Sequence, residues 1–175
     1  MTKVAPLLVT VTLLSACGYA LAGRGSSLPD HIRRIGVPMF ENQSQIPELD
    51  RVLTEAVQQE LRSKGRYLIV QEATGVDAVL TGTVRPVSLT VSAFTDARQA
   101  QRYLVTVLAE VEFKDVRENK VIFSRAVLRA SEEYEAIGTA AVNDASALFS
   151  QDQNALNRIA KTFARTVVTS ILEAF

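Results

Sequence analysis

Hydrophobic positions recur along this chain with two different periods, and the changes between them outline its elements. From Pro47 to Lys64 the apolar residues Leu49, Val52, Leu53, Ala56, Val57 and Leu61 share one face of a helix. Asp50, Arg51, Glu55, Gln58, Gln59, Arg62 and Lys64 make the outer face, Pro47 suits the first turn and Gly65 the stop. From Arg102 to Val116 the period is two. Tyr103, Val105, Val107, Ala109, Val111 and Phe113 alternate with polar Thr106, Glu110, Glu112 and Lys114, the pattern of a half-solvated antiparallel strand. Ala78 to Ala93 reads as a long strand with a phase change. Ala78, Leu80 and Val84 have one parity, and Val87, Leu89, Val91 and Ala93 the other. Pro86 sits at the switch, and a residue without a ladder donor belongs at a bulge or an edge.

The remaining segments complete the order. Ile32 to Val37 and Tyr67 to Gln71 are short strands, and Val121 to Tyr134 a third long one. Phe94 to Gln101 forms a polar hairpin tip, Thr74-Gly75 and Arg117 to Lys120 form turns, and Ala136 to Phe149 is irregular. Ser150 with Gln153 forms a capping-box pattern ahead of a helix whose stripe is Leu156, Ile159, Ala160, Phe163, Val167, Ile171, Leu172 and Phe175. Strand, helix, several strands, helix: the order predicts an α+β two-layer sandwich, a mixed and largely antiparallel sheet with two α-helices on one face.

The start of the chain follows a different logic. Lys3 precedes an apolar stretch from Val4 to Leu14, closed by Leu14-Ser15-Ala16-Cys17. An aliphatic residue, two small residues and a cysteine form a lipobox-like pattern, in which the cysteine thiol accepts a diacylglyceryl group after export. The stretch is short for a bilayer span and contains Pro6. Cys17 is the only cysteine, and an odd cysteine in an exported chain is explained by a lipid. Residues 1–16 then read as the lipoprotein signal peptide, 17–30 as the lipidated N-terminus and tether, and 31–175 as one α+β domain. Two or three acyl chains anchor stably, at ~0.8 kcal/mol per buried methylene. Gly18, rather than Asp, after the cysteine points to the outer membrane, with the domain on its periplasmic side.

Charge removes several classes of function. The 19 basic and 19 acidic residues balance, so no field gathers nucleic acid. His31, beside Pro29 and Asp30, is the only histidine and reads as a surface turn residue. Without a second His or Cys, zinc sites and Cys–His or Ser–His catalysis lack parts. Gly23-Arg24-Gly25-Ser26-Ser27 lacks the GK[ST] ending of a phosphate loop and reads as tether. Glu132, Glu133 and Glu135 read as a solvated strand end. No catalytic residue, metal or cofactor is expected. Arg98 and Arg102 flank the hairpin tip, where they serve solubility or contact an anion or phosphate.

Five segments in order resemble the LptE family, lipoproteins of lipopolysaccharide assembly. They are Cys17-Gly18-Tyr19-Ala20-Leu21, Ile35 to Asn42 after Leu28-Pro29, Asp77 to Val84, Ser131-Glu132-Glu133-Tyr134, and the closing Ser170 to Phe175. The resemblance implies a plug and assembly partner of an LptD-like outer-membrane β-barrel, in contact with lipopolysaccharide. It makes Arg98 and Arg102 the candidate lipopolysaccharide or partner contacts. Ile35 to Asn42, the next helix and Leu80-Thr81-Gly82 also resemble periplasmic lipoproteins of the CsgG and LpoB type, which form secretion pores or activate peptidoglycan synthases. The long hairpin after Gly82 and the terminal helix favour the first resemblance.

Overall fold

The computed structural model describes residues 28–94, 96, 100–135, 145–151 and 153–174. In chain order its elements are β1 (Arg34–Gly36), β2 (Glu41–Asn42), α1 (Leu49–Ser63), β3 (Leu68–Val70), β4 (Ala78–Val84), β5 (Ser88–Phe94), β6 (Ala100–Asp115), β7 (Lys120–Glu135), α2 (Ala145–Gln151) and α3 (Gln153–Leu172).

β6 is the spine of the sheet. Along one edge it pairs antiparallel with β7 from Arg102↔Glu135 to Asp115↔Lys120. Along the other it takes β4 at its C-terminal half and β5 at its N-terminal half. The phase change at Pro86 is a bulge in this second partner. Val84 faces Ala109 and Ser88 faces Thr106, so three residues on one strand oppose two on the other. One extra residue reverses facing parity. Leu80 opposite Phe113 and Leu89 opposite Val105 therefore meet the same face from even and odd positions. Proline fits the interruption because the ladder asks nothing of its nitrogen; the Arg85 amide bonds to Leu108 O at 2.8 Å.

The other half is parallel. β1 lies between β3 and β4 and runs parallel to both, with α1 as the crossover from the β1–β2 segment to β3. Gly36 allows the closest approach. A Cβ there would stand 2.3 Å from the Glu72 carbonyl oxygen. At Gly82 a Cβ would meet the Phe40 ring at 3.1 Å. Gly65 ends α1 at φ +69°, the left-handed stop expected of it.

Both long helices cover the face carrying the odd positions of β6. Leu49, Leu53, Val57 and Leu61 of α1 join Ile159, Phe163, Val167 and Ile171 of α3 in one buried cluster with Ile35, Leu80, Val107 and Phe113. Phe40 meets Phe163 edge-on at 6.3 Å. Tyr134 Oη donates to Ala155 O at 2.8 Å, and Thr162 donates to the Glu132 carboxylate, so α3 is fixed to β7 by polar as well as apolar contacts.

Four expectations change. Gln58 is not on the outer face of α1; it is buried, and its amide donates to Val37 O at 2.9 Å. Thr54 beside it accepts the Phe40 amide at 3.0 Å. Backbone groups where β1 runs out need these partners. Ser150 does not cap the last helix: it lies in α2, a short helix starting inside the segment read as irregular, and donates to Ala147 O at 2.9 Å. The hairpin tip is shorter than Phe94 to Gln101, because β5 runs through Phe94 and β6 starts at Ala100; Val87 is buried, but Val91 and Phe94 are exposed. Glu132 is half-buried against Thr162 rather than solvated. Positions 136–144 and 175 lie outside the described residues.

Candidate binding surface

The even positions of β6 face away from the helices and make a broad polar surface. Arg85 pairs with Glu110 at 2.8 Å and donates to Gln43 Oε1 at 3.1 Å. Thr106 and Ser131, opposite each other on β6 and β7, share a 3.0 Å hydrogen bond. Leu104 and Leu108 are half-buried among these groups. Met39, Glu41, Thr81, Thr83, Glu110 and Glu112 line a shallow hollow of about 370 Å³ on this side. Such a face offers hydrogen-bonding groups with half-buried apolar side chains between them, and in the hollow Thr83 Oγ1 donates to Glu41 Oε2 at 3.3 Å.

Arg102, named from the sequence, lies in β6 itself, half-exposed, with its guanidinium 3.4 Å from Glu133. An exposed pair of this kind is worth about 0–1 kcal/mol, so it orients the side chain more than it stabilises the fold. Arg98 and Cys17 lie outside the described residues. Arg85, which shares the polar face, escapes a reading of the strand pattern because it sits inside the bulge.

His31 is no simple turn residue. Its Nε2 lies 2.5 Å from Oδ2 of Asp115, a carboxylate buried at the end of β6. Burial pushes the Asp115 carboxyl up. The Glu118 amide at 2.9 Å and the His31 contact outweigh it and hold the group below the usual carboxylate range. With Glu118 these residues bring three potential ligand atoms within 4.8 Å of one another. Asp115 already has hydrogen-bonding partners at both oxygens, so the arrangement reads as a clasp joining the start of the fold to the β6–β7 turn. Eighty-four positions separate its two ends, which no local pattern reveals.

Among solved structures the chain is similar to the rare lipoprotein B from Shewanella oneidensis, at 13% identity and a TM-score of 0.47 over 81% of this chain and 98% of that one. It is also similar to an uncharacterized lipoprotein B from Nitrosomonas europaea, at 13% identity and 0.44 over 89% and 96%. A PelC dodecamer from Paraburkholderia phytofirmans matches at 14% and 0.45 over 81% and 90%. No curated protein matches the sequence significantly. The family model described as LptE, lipopolysaccharide-assembly, matches residues 32–171, most of the chain and all but the edges of the described fold, and the chain therefore belongs to the LptE family.

Proposed function

We propose that this protein is an outer-membrane lipoprotein, anchored on the periplasmic side through acylated Cys17. In this reading it acts as plug and assembly partner of an LptD-like β-barrel in lipopolysaccharide transport, with direct lipopolysaccharide contact near the hairpin tip. The family match over residues 32–171 is the observation that carries the reading. The helix-free polar face supports it: a surface of paired charges and hydroxyls suits the lining of a hydrated barrel better than a lipid bilayer does. Mild-detergent pull-down of the mature protein is expected to recover a large outer-membrane barrel. Recovery of rings of this chain, or of a peptidoglycan synthase, would instead support the secretion-pore or activator reading.

Two substitutions test the named residues. Cys17→Ala is expected to abolish incorporation of labelled fatty acid and to leave an unprocessed precursor on gels; unchanged labelling and mobility would exclude the anchor. Arg98→Glu with Arg102→Glu is expected to weaken lipopolysaccharide binding about tenfold at low salt, because guanidinium groups pair with phosphate in bidentate fashion. The thermal midpoint should hardly move, since the pair that Arg102 makes among the described residues, with Glu133, is exposed. The difference from wild type should shrink as salt rises. Wild-type binding by the folded double variant would remove these arginines from the contact and leave the plug reading intact.

A further inference from the structure

One end of the sandwich gathers basic side chains that form no ion pair among the described residues. β1, β3 and β4 begin at this end, β6 finishes there, and the turn into β7 closes it. Arg33 and Arg34 stand at the start of β1, Arg66 just before β3, Arg117 in the turn and Lys120 at the start of β7, all exposed. Among the described residues none of them forms an ion pair. Four carboxylates lie among these segments. Asp77 Oδ2 accepts the Arg33 and Arg34 amides at 2.9 and 2.8 Å, and these two bonds hold its carboxyl below the ordinary range. Asp115 is buried against His31. Asp30 and Glu118 are the exposed acids left among these segments. Set against these four acids, the five bases leave the group a single net positive charge.

The same end is where the chain leaves toward Cys17. Arg33 and Arg66 line an open hollow of about 340 Å³ together with Leu28, Pro29, Asp30, Ile32 and Tyr67, and Leu28 is the first described residue. Leu68, next to Tyr67, is 60% exposed beside these charges. Residues 17–27 span at most about 40 Å when fully extended. An acyl group on Cys17 therefore holds the arginine-lined hollow close to a leaflet, at a high effective concentration of headgroups.

We propose that this end is a docking surface for the phosphate-bearing face of an anionic bilayer, with Arg33 and Arg66 at its centre. The choice of a membrane as occupant rests on the reading of Cys17 as the anchor. Guanidinium groups bind phosphate in bidentate fashion, and basic side chains beside an anionic lipid surface each add to its attraction. Tyr67 has the amphipathic character of residues that enter the headgroup layer, and Leu68 beside it is an exposed apolar side chain. The contact makes the anchor directional. β6 and β7 rise from this end for about 50 Å, so the hairpin tip is held well away from the headgroups that the arginines touch.

The test uses residues 17–175 with Cys17→Ser, which retain the whole buried core and contribute no acyl chain to binding. Sedimentation with phosphatidylglycerol/phosphatidylcholine vesicles is compared with sedimentation with phosphatidylcholine alone. Binding is expected on the anionic vesicles only, and should be lost at high salt. Arg33→Glu/Arg66→Glu is expected to reduce partitioning at least tenfold, corresponding to about 1.4 kcal/mol. Arg125→Glu/Arg129→Glu, an equal charge change midway along β7, should stay within about twofold of wild type. Thermal melts check folding, and Arg33→Gln/Arg66→Gln replaces the first pair if the glutamates unfold it. Equal binding to both vesicle types, no binding to either, or equal losses in both double variants would overturn the proposal. Lipid labelling of Cys17 is read separately, so failure of the anchor and failure of the docking surface give different results.

Discussion

Phe163→Ala is expected to destabilise the protein by about 3–5 kcal/mol, read as a lower urea midpoint at unchanged slope. Phe163 is fully buried in the middle of α3 and meets Phe40 edge-on at 6.3 Å with the rings 77° apart. Phe40 in turn lies over Gly82 of β4. The two rings thus connect the helix layer to the sheet, and an edge-to-face pair adds about 0.5–1.5 kcal/mol beyond its buried area. Removing one ring leaves a void between α3 and β4. Its walls belong to long elements paired elsewhere, which limits how far they can collapse into it. A loss below about 1 kcal/mol would mean that α3 shifts freely on the sheet and that the packing described here is not its anchor.

Gly36→Ala is the second large effect, expected at about 3 kcal/mol, the upper part of the usual range for overpacking. The reason is backbone meeting backbone. The added methyl would stand 2.3 Å from the Glu72 carbonyl oxygen and 3.3 Å from Val76 Cγ2. Side chains can rotate out of such a clash; the segment after β3 cannot, because β1 is held on both sides by β3 and β4. Gly75→Ala provides the contrast. That position has φ +69° and nothing within 4 Å of a new Cβ, so only the strain of a left-handed residue, about 1–2 kcal/mol, applies. Comparable melting curves for Gly36→Ala and wild type would refute the close approach.

The long strands and both long helices were legible because each keeps one period for many residues. The alternation from Tyr103 to Phe113 and the stripe from Leu49 to Leu61 are fixed by burial on a single face. The parity switch at Pro86 was legible for the same reason, and it marks a real bulge. Burial of Gln58 and Thr54 was not, because a polar residue enters a core when a particular carbonyl or amide needs it, and that group lies on another element. The His31–Asp115 clasp depends on topology, which brings the start of the chain beside the end of β6. Ser150 misled because the same hydroxyl that caps a helix start can bond back to a carbonyl inside one. At the candidate surface, Arg102 could be placed on its strand from sequence, but its partner Glu133 required the register between β6 and β7.

The outer edge of β7 has no strand beside it among the described residues, and it is sixteen residues long. An edge of that length is a template on which a second chain can add and extend a growing ribbon. β7 is not a straight template. Its pairing with β6 slips twice, opposite Ala109–Val111 and opposite Phe113–Lys114, and each slip leaves an extra residue in β7. Beyond the slips its polar side chains include Arg129, Glu133 and Glu135. An incoming strand would lose register at each kink and would meet charge where the edge is regular. The irregularities that look like imperfect pairing thus work against fibre growth along an edge that no described strand covers.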